Sequence, residues 1–469
     1  FFNMGSSRDE EYLKMTVDKY HIGGIRYNPA TGAEVREQNR ILQENSKIPL
    51  IIACNTENGG NGACTDGTMI GQQTKIGATR DARYAYELGR MSNKEAAAIG
   101  CNLSFAPVSD ILYNWENPVI GLRTYGNDVD RVCEMTKAYM DGAHTNEGFC
   151  CAAKHFPGDG LDFRDQHVAD SVNDMSCEEW DASYGKVYQN LIDNGLEAIM
   201  AGHIMQPAYT RHFNPGIKDE DIMPAPLSPE LIEGLLRGKL GFNGMVLTDA
   251  SHMVGLTCCM KRSEMLPHTI AAGVDMFLFF NEMDEDFASM MAGYENGIIT
   301  EERLNDALHR ILALKAHMGL HKKAKNEIVP PVEVMEQVVG CEEHKAMARE
   351  ISEKGITLVK YKDEDVLPMI PSRYKRIMIV SVSGLSAGVM GTMMAKYMGG
   401  GKKSPAERLR DKLIEKGFDA FIYESPLDAL AKRAAAGEKV DINMYFAGKT
   451  PIKEFVENQD LIITLVDIA

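Results

Sequence analysis

The amino-acid sequence predicts an α/β protein: a (β/α)8 TIM-like barrel followed by a second, smaller α/β sandwich domain. Three observations carry this expectation. Short apolar runs alternate with helix signals eight times over residues 1–320, with no repeat of 20–50 residues. The runs are largely apolar on both faces, as parallel strands covered by helices should be. A charged, proline-bearing segment then leads into a second, shorter series of strands and helices. Strand order is invisible in a sequence, so a doubly wound sheet stays open at this point.

The expected barrel strands are 1–4, 22–27, 49–54, 102–108, 150–155, 198–204, 245–249 and 274–280. Behind the cap Asp128, the residues Val132, Met135, Tyr139, Met140 and Ala143 share one helical face. Ser176-Cys177-Glu178-Glu179 is a capping box, and Ser228-Pro229 places an N-cap before a proline at the first helical position. The run Lys322-Lys323-Ala324-Lys325-Asn326-Glu327, with Pro330-Pro331 behind it, reads as a linker. The expected division is therefore a barrel over 1–320, a linker over 321–332 and a sandwich domain over 333–469. In the latter we expect helices at 334–353 and 404–416, and strands at 356–359, 376–382, 419–423 and 461–466. The chain stops just after an apolar run, which suggests a second domain incomplete as given.

At 469 residues, with 44% hydrophobic and 25% charged residues, two soluble globular domains are the natural expectation. A net charge of -17 argues against nucleic acid and anionic membrane as partners. No run approaches a membrane span. The ten cysteines include two adjacent pairs, Cys150-Cys151 and Cys258-Cys259, and no C-x-x-C. That usage suits reduced, buried thiols and favours a cytoplasmic location. The first residue is Phe, so a removed leader and secretion stay open. Nothing in the sequence specifies an oligomeric state.

One stretch concentrates chemistry. Lys154-His155-Phe156-Pro157-Gly158-Asp159-Gly160 follows the small apolar run Cys150-Cys151-Ala152-Ala153, and Asp165 and His167 lie on the loop beyond. Proline and glycine end the strand, so Lys154 and His155 stand at its carboxyl end, where α/β enzymes keep their reactive groups. A second apolar strand, behind Gly241-Phe242-Asn243-Gly244, ends in Asp249. Ala106-Pro107-Val108-Ser109-Asp110 ends the fourth strand and leads to Asn117-Pro118-Val119-Ile120-Gly121-Leu122-Arg123. No His/Asp/Glu set has metal-ligand spacing, so no metal is expected. The glycine run at 398–403 lacks Walker spacing and reads as a loop. His203, at the end of the sixth strand, reads as a structural histidine.

Together these segments resemble glycoside hydrolase family 3, in its β-N-acetylglucosaminidase (β-N-acetylhexosaminidase) branch. The resemblance is strong over residues 1–320 and general beyond. It implies that Asp249 is the nucleophile and that His167 with Asp165 supplies the acid/base. It also implies that Lys154, His155 and Arg123 hold sugar hydroxyls, and that no cofactor is needed. Two departures stand out. Asp159 occupies the place of a histidine frequent in the family. Asn55-Thr56-Glu57-Asn58-Gly59-Gly60 replaces Asp-x-Glu-Gly-Gly, which puts Asn55 where the family has a hydroxyl-binding Asp.

The chemistry is coherent in its own right. Retaining cleavage needs a carboxylate on one face of the sugar and an acid on the leaving-group face. A histidine titrates near working pH, and a neutral one repels an incoming anion less than a carboxylate would. The resemblance implies a retaining, exo-acting enzyme removing terminal β-linked N-acetylglucosamine from a small carbohydrate. Phosphorolysis, β-glucosidase specificity and an inactive sugar-binding barrel stay open beside it.

Overall fold

The computed structural model describes residues 2–3, 8–28, 30–361, 366–383, 403–424, 430, 432–434, 436–440 and 457–467. The chain divides into two compact units, Phe1–Thr357 and Leu358–Ala469. The first is built on eight strands: β1 (Phe2–Asn3), β2 (Gly24–Arg26), β3 (Ile51–Cys54), β4 (Leu103–Ser104), β5 (Cys150–Phe156), β6 (Ala198–Ala201), β7 (Met245–Ala250) and β8 (Met276–Leu278). They form one sheet, every neighbour parallel, in chain order. The sequential order removes the doubly wound alternative, whose order reverses part-way.

The sheet is curled. The helix Glu10–Tyr20, which follows β1, meets the helix Met283–Glu295, which follows β8: Lys19 Nζ and the Tyr20 hydroxyl both donate to Asp284, at 2.6 and 2.7 Å. Among the described residues no strand pairing joins β8 to β1.

Alternation along each strand explains the double-sided hydrophobicity. Ile51, Ala53, Leu103, Cys150, Ala152, Ala198, Met200, Met245 and Leu247 share one core cluster inside the curl. Cys151, Ala153, Ile199, Ala201 and Val246 point the other way and pack on helix residues such as Met135, Tyr139, Tyr188 and Leu236. The expected caps are present. Asp128 accepts from Arg131 N, Ser176 and Glu179 form the capping box, and Ser228 Oγ accepts from Leu231 N at 3.3 Å. A short parallel ladder, Ser171–Val172 with Ile204–Met205, was not anticipated.

The expected boundary and the structural one differ. The segment 321–332 is not a free linker: Ile328 and Val329 are buried, and Pro330 accepts from Arg36 Nε at 2.8 Å. The expected helix 334–353 is two helices, Val332–Val338 and Glu342–Gly355, broken at Gly340 with φ +62°. Both belong to the first unit. His344 Nδ1 donates to the buried Glu95 at 2.6 Å, and Ile351 joins the large core cluster. Residues 356–359 form no strand, and Leu358 and Val359 are exposed.

The second unit contains a three-stranded parallel sheet, with β9 (Arg376–Ser383) between β10 (Asp419–Ile422) and β11 (Leu461–Asp467). The helix Pro405–Glu415, capped by Ser404, packs on it through Ala406 and Leu413. Residues 398–402 of the glycine run lie outside the described residues.

Candidate active site

The site assembles at the carboxyl ends of β3, β4, β5 and β7. Lys154 and His155 are almost wholly buried near the end of β5, where the Lys154–His155 and Phe156–Pro157 bonds are cis. Asp110, just past β4 and fully buried, holds His155 from two sides. Its Oδ2 accepts from His155 Nδ1 at 2.7 Å, and its Oδ1 accepts from the His155 amide at 3.1 Å and the Asp159 amide at 2.8 Å. A carboxylate can only accept, so the ring hydrogen sits on Nδ1 and Nε2 is turned outward. That nitrogen lies 3.8 Å from Asp249 Oδ2.

Asp249, on β7, accepts the Ala250 amide at 2.7 Å. Burial would raise its carboxyl, but His155, His203, that amide and Lys154 together hold it below the ordinary aspartate value. It is therefore a carboxylate at neutral pH, aimed into a cluster of cations.

Glu57, on the loop after β3, ties those cations together. It pairs with Lys154 Nζ at 2.9 Å and takes a two-pronged bond from Arg123, Nε at 2.9 Å and Nη2 at 3.1 Å. Burial pushes its carboxyl up, and the charges of Lys154 and Arg123 overcome this and hold it far below the usual range. Arg123 sits in the short turn Gly121–Arg123 and also feels Asp110 and Asp249.

The four residues Lys154, His155, Arg123 and Asp249 thus converge, as their positions at or beyond strand ends predict. Asn55 stands directly after β3, half-buried, with no side-chain hydrogen bond among the described residues. Asp165 and His167 pair with each other through Oδ1 and Nδ1 at 2.7 Å, and His167 is half exposed with no ion pair to Asp249. Their loop is fixed at its middle residue. Gln166, fully buried, donates to Asp159 Oδ2 at 3.0 Å and accepts the His203 amide at 2.8 Å. Main-chain bonds from Val254 N to His167 O and from Gly255 N to Gln166 O then stitch the loop to the segment after Asp249.

Residues 2–314 match the Glycosyl hydrolase family 3 N terminal domain. The chain belongs to glycoside hydrolase family 3. A relative from Cellulomonas fimi, a β-N-acetylglucosaminidase/β-glucosidase, is 39% identical over 417 residues, 89% of this chain and 71% of that one. Among solved structures, the β-glucoside phosphorylase BglX superposes with a TM-score of 0.87 at 38% identity, covering 99% of this chain and 78% of its own. A family 3 β-N-acetylglucosaminidase from Paenibacillus gives a TM-score of 0.78 at 25% identity, covering 99% and 82%.

Within this family 3 chain, four contributors carried no assigned role in the sequence reading: Glu57, Asp110, Asp159 and Gln166. Glu57, Asp110 and Asp159 lie inside segments quoted for their motifs, and Gln166 lies between Asp165 and His167. Their roles depend on pairing across strands, which a single sequence does not encode. Asp159, in the place of the family's histidine, is buried. Burial first, then the charge of Asp110, pushes its carboxyl up to about 6. Three N–H groups point at it, from Asn117, Gly160 and Gln166. His203 Nε2 donates to Ala250 O, 2.9 Å away, and burial holds the ring below the ordinary histidine value.

Proposed function

We propose that this family 3 glycosidase is a retaining, exo-acting enzyme that removes terminal β-linked N-acetylglucosamine, with the curled sheet closed as a (β/α)8 barrel and the second unit completed as an α/β sandwich. Asp249 attacks the anomeric carbon and forms a glycosyl-enzyme. His167, oriented by Asp165, protonates the leaving oxygen and then deprotonates the acceptor. Lys154, His155, Arg123 and Asn55 hold the hydroxyls of the terminal sugar. The observation that carries this reading is the half-buried, ionised Asp249 facing His155, with Lys154 and Arg123 held by one carboxylate beside it.

The half-exposed His167 suits a group that must first meet a departing aglycone and then a second acceptor. Phosphate as that acceptor is the second reading. It is favoured by a histidine in the acid/base place and by the likeness to a β-glucoside phosphorylase. A panel of nitrophenyl β-glycosides, with and without phosphate, tests both. N-acetylglucosaminide as the best substrate is the expected result, and a glucoside preference would replace the sugar assignment. Glycosyl phosphate in the product mixture would select phosphorolysis. Asp249→Ala should lower turnover by several powers of ten with the fold intact, and an inverted product anomer would contradict the covalent step.

A further inference from the structure

Chemistry-bearing side chains also gather at the opposite end of the sheet. Cys150 is the first residue of β5, four residues before Lys154, so it lies roughly 13 Å down the strand from the cluster described above. Glu197 directly precedes β6. His144 ends the helix Val129–His144, and His317 ends the helix Glu301–His317. The Cys150 sulfur, a Glu197 oxygen and a His317 ring nitrogen all lie within 4.8 Å of one another. His144 Nε2 lies 2.8 Å from Glu197 Oε1 and is shielded from solvent, yet it makes no aligned hydrogen bond.

We propose that Cys150, Glu197 and His317, with His144 as a fourth or supporting ligand, form a binding site for a zinc-like divalent cation that braces the amino-terminal end of the sheet. The donor set is one sulfur, one oxygen and imidazole nitrogen, the mixture that borderline cations such as Zn²⁺ take in tetrahedral sites. Two such ligands on one zinc ion lie roughly 3.5 Å apart, so the three groups need to draw in by about an ångström. His317 has the freedom to do so, since its side chain is 65% exposed.

Glu197 is already oriented, because its Oε2 accepts the Cys151 amide at 3.1 Å. The ligands come from 144, 150, 197 and 317, which is why no local spacing reveals them. The ion would join two helix ends to two strand starts. Its place is remote from Asp249, so its role is structural.

The test is a titration of the full chain, stripped by chelator, with Co²⁺ as a spectroscopic probe and Zn²⁺ in competition. One equivalent of Co²⁺ should bind with a thiolate-to-cobalt charge-transfer band, and Zn²⁺ should displace it. His317→Ala, an exposed position whose loss should leave the fold intact, should weaken binding about tenfold or more. Cys150→Ser should remove the charge-transfer band, whereas changing Cys258 and Cys259 to serine should leave it. Zn²⁺ should raise the Tm of the parent and not that of His317→Ala. Absence of the band in the parent, or an unaltered titration in His317→Ala, overturns the proposal. Loss of the band on changing Cys258 and Cys259 does so too.

Discussion

His155 illustrates how one side chain's role is set by its neighbours. Asp110 takes the Nδ1 hydrogen, so only Nε2 is offered toward Asp249. His167 has a similar device in looser form, with Asp165 at 2.7 Å on Nδ1 and solvent on the other side. If His167 is the acid/base, His167→Ala should slow aryl glycosides with good leaving groups mainly at the second step, since their first step needs little acid help. Azide should then restore the rate and yield a glycosyl azide, and Asp165→Asn should lose less than His167→Ala. Near-parent activity of His167→Ala on disaccharides would remove His167 from the mechanism.

Glu57 gives a second prediction at this scale. Replacing it by Gln leaves the buried Lys154 and the half-buried Arg123 beside an uncharged amide, a loss of about 3–5 kcal/mol by analogy with broken buried pairs. Its folded-state pKa lies below the unfolded one, so the contribution is present above about pH 4.3 and fades as the pH falls. The gap in stability between parent and Glu57→Gln should therefore be wide at pH 7 and shrink below pH ~4, as urea melts across that range would read. Such roles were the least legible part of the sequence. Lys154, His155 and Asp249 announced themselves by standing at the ends of apolar runs, and Arg123 by the Asn117–Arg123 segment that follows one. Glu57 and Asp110 stood in equally suitable places, but only the cross-strand contacts show what they hold.

At the scale of elements, the decisive feature is the loop between β5 and the helix Cys177–Trp180. Its centre, Gln166, faces inward while its neighbours Asp165 and His167 face out. Gln166→Ala would strand the buried Asp159 oxygen and the His203 amide, each worth about 1–3 kcal/mol when unpaired. If His167 is the acid/base, turnover should fall about tenfold to a hundredfold while KM stays near the parent value, because His167 shifts and the cluster of Lys154, His155 and Arg123 does not. An unchanged turnover would mean that the Val254 and Gly255 bonds hold the loop unaided. The strands and most helices were readable because strand alternation and capping residues are local signals. The break at Gly340 was not, because it serves a distant partner: the Gly340 amide and His344 both donate to Glu95, 3.3 and 2.6 Å away.

The same contacts place the end of the first unit at the scale of the whole molecule. Met335 and Ile351 are buried against it, and Glu95 draws two of its bonds from residues past 332. A chain cut after residue 357 should melt cooperatively with a native near-UV spectrum. One cut after 320 should aggregate, because it uncovers that apolar surface and leaves a buried carboxylate short of donors. Cooperative melting of the shorter chain would restore the boundary expected from the charged run. That run was misread as a spacer because Lys322 to Lys325 are exposed while the residues that dock, Ile328 and Val329, form only a two-residue apolar signal.

The strand order has one more consequence. Every strand from β2 to β8 pairs with the strand made just before it in the sheet, so no strand must wait for a partner still to be synthesised. Each crossover closes a loop of a few dozen residues and hides an edge that would otherwise stay sticky. A nascent chain emerging from the ribosome can therefore grow its sheet from one end, each new strand covering the edge left by the one before it. Asp249 arrives on the seventh strand, which means that Glu57, Lys154 and Arg123 are in place before the molecule acquires the carboxylate they stand beside.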